Sequence, residues 1–154
     1  MAETRWLDTG EMRVWEVFLA AGALVDREIE RHLESEGLSH TQYETLVRLS
    51  AAPQGRLRMT ELAEALYTSK SGLSYQIGRL EKAGLVRRAA DDADARGVVA
   101  VLTPAGRERL ARIAPGHVAT VRRALIDVLS DEQRRAIADG LGAVVARLSG
   151  PTRG

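Results

Sequence analysis

Side chains suited to recognition chemistry cluster between Ser69 and Arg96. Ser69, Lys70, Ser71, Ser74, Tyr75 and Arg79 supply hydroxyls and cations at spacings that a helix turns onto one face and its flanks, and Arg87 and Arg88 follow as a pair. Hydroxyls and guanidinium groups donate to phosphate oxygens and base edges, and a helix face without bulky aliphatics fits a major groove. Asp94 and Arg96 stand two residues apart, so on extended backbone they share a side, where the carboxylate is expected to orient the guanidinium for a narrow minor groove. In isolation such a pair is a surface ion pair of little consequence. Its position just after a candidate recognition helix favours the groove reading.

Other chemistries find less support. The chain has no glycine-rich phosphate loop, no nucleophile-elbow motif and no paired Glu/His metalloprotease helix, so no catalytic residue and no enzyme activity are expected. No His/Asp/Glu set has metal-site spacing, and neither a metal nor a cofactor is expected. With zero cysteines among 154 residues, a disulfide framework, a thiolate metal site and a cysteine redox switch are excluded.

The elements that position the polar cluster are legible from periodicity. Leu62, Ala63 and Leu66 define one face of a short helix that Thr60 is expected to cap, with Thr60 also within the DNA-contact set. Tyr67 and Thr68 form a short connection. Ser69 then caps a second helix over 69–83, in which Leu73, Ile77 and Leu80 face inward and Gly84 ends the run. Residues 85–88 and 98–102 are β-rich and are joined by the charged, turn-forming segment AADDADARG, which predicts a hairpin with a loop over 89–97. Residues 57–59 add a short third strand.

The flanking segments read as long helices. Trp15, Phe18, Gly22, Val25, Ile29 and Leu33 follow helical spacing over about 11–36, with Gly37 as the stop. Ser39-His40-Thr41-Gln42 is a capping box opening a helix whose inner face is expected to be Tyr43, Leu46, Val47 and Ser50. Thr103 caps a helix with Pro104 at its first position and a stripe of Leu110, Ala114, His117, Val121, Leu125 and Val128, and Pro115-Gly116 predicts a kink or break within it. A second capping box at Ser130 opens a last helix with Ile137, Leu141, Val144, Val145 and Leu148 inward, closed by Gly150-Pro151.

The formal net charge of +1 conceals a division along the chain. Residues 1–55 hold 5 Lys/Arg against 10 Asp/Glu, residues 56–112 hold 11 against 7, and residues 113–154 hold 6 against 4. The basic excess falls on the polar cluster, as phosphate binding requires, although it is modest in a single copy. The length and the 45% hydrophobic content suit one globular domain. No long uncharged apolar run or secretory leader is present, so a cytoplasmic protein that joins the nucleoid when DNA-bound, with no membrane partner, is expected.

The chain resembles the MarR-type (multiple antibiotic resistance regulator) winged helix-turn-helix transcriptional regulators. The resemblance rests on Leu62-Ala63, on Ser69-Lys70-Ser71-Gly72-Leu73-Ser74, on the run from Arg79 to Arg88 (RLEKAGLVRR), and on Asp94-x-Arg96 leading into Leu102-Thr103-x-x-Gly106. It extends over nearly the whole chain. The fold it implies is mainly α with a small β-wing (α+β), as a single domain over 1–154. Residues 1–37 and 104–154 would be dimerisation helices and 38–103 the winged helix-turn-helix DNA-binding lobe.

The function it implies is a homodimeric, sequence-specific DNA-binding regulator, a repressor of nearby genes. It would bind a pseudo-palindromic operator in double-stranded DNA with helix 69–83 in the major groove and Arg96 in the minor groove. The family also implies release by a small aromatic or phenolic effector, for which Trp15, His40, Tyr43 and His117 are the candidate lining residues. Trp15 and Tyr43 at helical spacing are more often core, and each His more often a satisfied or solvated residue, than a ligand contact. Part of the family senses peroxide through a thiol, a route closed to a chain without cysteine. The alternative is a winged-helix protein-interaction or enzyme-dimerisation module without specific DNA binding, which the clustering of Arg79, Arg87, Arg88 and Arg96 disfavours.

Overall fold

The computed structural model describes residues 3–150. Its elements run α1 (Thr9–Ser35), α2 (His40–Ala51), β1 (Arg56–Arg58), α3 (Met59–Ala65), α4 (Lys70–Lys82), β2 (Val86–Asp91), β3 (Asp94–Leu102), α5 (Pro104–Ala124) and α6 (Asp131–Ser149). The expected mainly α fold with a small wing is what forms. Pro151, expected to close the last helix, lies outside the described residues. Among the described residues no helix is long and apolar enough to cross a membrane.

The chain divides into two compact units, residues 26–118 and the pair of segments 1–25 and 119–154. The unit over 26–118 is wider than the expected 38–103 lobe, because the end of α1 and most of α5 belong to it. Its core gathers Ile29 and Leu33 from α1, Tyr43, Leu46 and Leu49 from α2, Leu62 from α3, Leu73, Ile77 and Leu80 from α4, the apolar ends of β2 and β3, and Ile113 from α5. Burial of each fully enclosed Leu or Ile contributes about 1.5–3 kcal/mol relative to exposure.

The three strands form an antiparallel sheet in the order β1, β3, β2, with Leu57 opposite Ala100 and Val86 opposite Leu102. The strands of the hairpin are longer than expected. Most of 89–97 is ladder rather than loop, with a register irregularity at Ala90/Asp91 and a turn of only Asp92 and Ala93. The physical cause is the Asp91 carboxylate, which accepts the Ala93 backbone N–H at 3.0 Å and closes the turn locally.

Four expectations about helices change. Thr60 does not cap α3; that helix starts at Met59, and the Glu61 side chain accepts the Arg58 backbone N–H. On α2 the buried positions include Thr45 and Leu49, whereas Val47 and Ser50 are half-buried; the hydroxyl of Thr45 donates to the Thr41 carbonyl at 2.7 Å, so its burial costs little. Pro115-Gly116 does not break α5, which is continuous from Pro104 to Ala124. A helix tolerates the missing amide where neighbouring packing holds the backbone. Thr103 and Ser130 cap as expected, but the helix from Pro104 stops at Ala124, so the stripe residues Leu125 and Val128 lie beyond it, Val128 in a short 3₁₀ turn, Ile126–Val128.

In the second unit, Arg134 donates to the Leu129 and Ile126 carbonyls at 2.5 and 2.9 Å, which secures that 3₁₀ turn against α6. Its helices leave many large apolar side chains open to water in the single chain. Val14, Trp15, Val17, Phe18 and Leu19 of α1, and Ile137, Leu141, Val144, Val145 and Leu148 of α6, are all at least 40% exposed.

Candidate nucleic-acid interface

The helix-turn-helix is set by two local devices. Between α3 and α4, Tyr67 takes a left-handed conformation (φ 51°), which turns the chain within two residues. The Ser69 side chain then accepts the Gly72 backbone N–H at 3.1 Å and starts α4. Leu73, Ile77 and Leu80 anchor the inner face of α4, and Gly84 (φ 73°) ends the segment with a conformation open to glycine.

All eleven residues expected to meet DNA are exposed: Thr60, Ser69, Lys70, Ser71, Ser74, Tyr75, Arg79, Arg87, Arg88, Asp94 and Arg96. Their surroundings separate them into groups. Arg79 lies over the Tyr75 ring, its carbon centre 5.9 Å from the centroid, and donates to the Tyr75 hydroxyl at 3.4 Å. The two side chains therefore present one joint surface on the outer face of α4. Ser69 and Ser71 hydroxyls lie 3.3 Å apart at the helix start, beside Lys70.

Arg88 is engaged inside the lobe. It donates to Glu81 at 2.7 Å and to the Ser74 carbonyl and hydroxyl at 2.9 and 3.1 Å, and the Arg88 backbone N–H reaches Glu81 at 3.3 Å. Arg88 and Ser74, both expected among the DNA contacts, are thus joined in a strut between β2 and the recognition helix. The sequence carries a weak signal of it, since Glu81 precedes Arg88 by seven residues across a tight turn.

At the wing the expected Asp94–Arg96 ion pair does not form. Asp94 accepts the Arg96 backbone N–H at 3.0 Å, so the carboxylate shapes the backbone and the Arg96 guanidinium has no partner among the described residues. The arginines that pair at the wing come instead from β1, which sequence reasoning did not assign to the site. Arg58 meets Asp91 at 2.5 Å, and Arg56 meets Asp92 at 3.4 Å. The Ala93 backbone N–H, and then Arg58 and Arg56, hold the Asp91 carboxyl below its ordinary value against the opposing effect of desolvation. These pairs tie the acidic tip down, while Arg87 and Arg96 have no side-chain partner among the described residues.

Of the four candidate effector residues, three meet. The Tyr43 and His117 rings lie 4.3 Å apart, and His40 and His117 lie 6.4 Å apart. Burial raises the Tyr43 phenol, with nearby Glu44 adding to it, and burial lowers His117, opposed by Glu44 and reinforced by His40 and His32. Trp15 belongs to the other compact unit, where it stacks on Phe18 at 6.3 Å.

The fold also assembles a set invisible in linear spacing. Asp26, Glu30 and His40 bring one ligand-type atom each to within 4.8 Å of one another. Linear spacing gives no sign of this set, because Asp26 and Glu30 share a face of α1 and only the turn at Gly37 returns His40 to it.

Comparison with known proteins bears on what this lobe is. The sequence profile of the MarR family matches residues 36–97. AbsC, a MarR family transcriptional regulator from Streptomyces coelicolor, is 42% identical; the match covers 96% of this chain and 100% of AbsC, with a TM-score of 0.91. Sco3205, another MarR family transcriptional regulator from Streptomyces coelicolor, solved in complex with DNA, is 40% identical, with 99% and 95% coverage and a TM-score of 0.93. The HTH-type transcriptional repressor YetL of Bacillus subtilis is 27% identical over 143 residues, 93% of this chain and 85% of YetL. These relatives are named as regulators and not as enzymes. With the winged lobe formed as described and two such relatives matched over nearly their whole length, this chain belongs to the MarR family of transcriptional regulators.

Proposed function

We propose that this regulator is a homodimeric repressor that reads a pseudo-palindromic operator. The carrying observation is the division of labour on the winged lobe. Arg88 and the β1 arginines brace the structure, while Arg79 with Tyr75 on α4, Arg87 on β2 and Arg96 on the wing remain exposed for DNA. The residues Ser69, Lys70, Ser71, Tyr75 and Arg79 face the major groove, and Arg96 enters the adjacent minor groove. That Sco3205 was solved with DNA and that YetL is named a repressor support the reading.

The dimer is supported by the exposed apolar residues of α1 and α6, which a second copy of the same surface would cover. Two copies place two recognition helices on half-sites about one helical turn apart. Within this reading, 1–37 and 104–154 carry the dimer contacts. Release by a small aromatic or phenolic effector is supported by the Tyr43–His117 ring pair, which combines aromatic surface with hydrogen-bonding tips.

The test is a salt titration of binding to operator DNA selected from the source genome, with Arg96→Ala beside the parent chain. The variant is expected to remain dimeric by sedimentation, to lose at least about tenfold in operator affinity, and to flatten the salt dependence by roughly one counterion per wing. Unchanged affinity and slope would remove Arg96 from the interface, and a monomeric parent chain would remove the two-half-site model.

A further inference from the structure

One imidazole in the 26–118 unit faces three carboxylates. His40 Nδ1 lies 3.0 Å from Asp26 Oδ1, and its Nε2 lies 3.8 Å from Glu44 Oε1. Glu30 Oε1 accepts the His40 backbone N–H at 3.2 Å. Among the described residues no Lys or Arg pairs with Asp26, Glu30 or Glu44. With the ring proton on Nε2, Nδ1 has a lone pair to offer a cation. A cation between His40 Nδ1 and the Asp26 and Glu30 oxygens offsets the local negative charge.

The arrangement is built rather than incidental to a floppy surface. Asp26 and Glu30 are one turn apart on α1. The α1 terminus is closed by the Leu38 N–H to the Leu33 carbonyl and by Gly37 at φ 76°, and the Ser39–Gln42 capping box fixes the first turn of α2, where His40 sits. Glu44, one turn further along α2, lies on the side of the other ring nitrogen at 3.8 Å, close enough to act on it by charge but beyond a hydrogen bond.

We propose that Asp26, Glu30 and His40 form a site for a first-row divalent cation of the zinc type, with His40 Nδ1 and one oxygen of each carboxylate as ligands. Ligands about 2.1 Å from a tetrahedral ion stand roughly 3.4 Å apart, and the three ligand atoms here lie within 4.8 Å of one another, with His40 Nδ1 and Asp26 Oδ1 at 3.0 Å. The exposed side leaves room for water as the remaining ligand. One nitrogen with two carboxylates selects zinc, cobalt or nickel over magnesium and calcium, which take oxygen ligands throughout. The site is independent of the DNA-binding proposal.

Cobalt(II) serves as the probe, because its visible absorption reports a low-coordinate nitrogen and oxygen environment. Titration of the untagged full chain is expected to give one bound Co2+ per chain, displaced by Zn2+ and not by Mg2+ at the same concentration. Asp26→Asn and Glu30→Gln should each weaken Co2+ binding at least about tenfold, and His40→Gln should abolish the absorption. Circular dichroism checks the fold of each variant, and the two carboxylate variants decide the matter if His40→Gln does not fold. Absence of stoichiometric binding would overturn the site and leave an ordinary His–Asp ion pair. Binding lost in His117→Gln but unchanged in Asp26→Asn would overturn it equally, by moving the ion to the other side of His40.

Discussion

Replacing Arg88 separates a strut from a DNA contact. Its guanidinium pairs with Glu81 and donates twice to Ser74, with the Arg88 and Glu81 side chains 35% and 32% exposed. A fully exposed pair would contribute about 0.2–1 kcal/mol. A charge-assisted hydrogen bond away from solvent contributes about 1.5–3 kcal/mol. At one-third exposure and with three acceptors, Arg88→Ala is expected to cost about 1–2 kcal/mol, roughly 3–6 °C in Tm for a chain of this size.

A double-mutant cycle with Glu81→Gln should return a coupling of about 1 kcal/mol by urea denaturation, at fixed protein concentration because dimerisation also adds stability. The same variants are then titrated on operator DNA. A strut that positions α4 lowers affinity while leaving the salt slope unchanged, whereas a lost phosphate contact flattens that slope by roughly 0.9 per contact. Coupling below about 0.3 kcal/mol together with a flattened slope would refute the reasoning and return Arg88 to the DNA-contact set.

Two further outcomes follow from the packing. A Cβ at Gly106 would sit 2.1 Å from the Leu85 carbonyl oxygen and 2.7 Å from Leu102, where the start of α5 crosses the base of the wing, so Gly106→Ala should destabilise by about 1–3 kcal/mol or more; a Tm equal to that of the parent would contradict this approach. Asp91 has a folded pKa below its ordinary 3.8, so the stability it contributes is complete above that value and is lost as pH falls below it. The stability gap between the parent and Asp91→Asn should therefore be present at pH 7 and shrink below pH 3.8, and a gap that widens on acidification would show that the carboxylate is not held in its charged form.

The order of elements, the caps at Ser39, Ser69, Thr103 and Ser130, the inward face of α4 and the basic character of the lobe were all determined by sequence. Each is a short-range matter of helical period, side-chain oxygen and composition, which the chain carries locally. The exposed polar face of α4 was legible for the same reason: its complement, Leu73, Ile77 and Leu80, had to be buried.

Tertiary structure alone decided which charges are free. Arg88 reads like Arg87 in the sequence, yet only Arg88 meets Glu81 and Ser74, because neighbours on a strand point to opposite sides and only one of those sides faces α4. Likewise the acids at the wing tip chose partners 33 and 36 residues away, since β1 pairs with β3 and delivers Arg58 to Asp91 and Arg56 to Asp92. The same holds for Asp26, Glu30 and His40: the i, i+4 relation is written in α1, but the third member arrives only through the reversal at Gly37. Charge pairing depends on distances of a few ångströms in space, and a linear spacing determines those distances only within a single element.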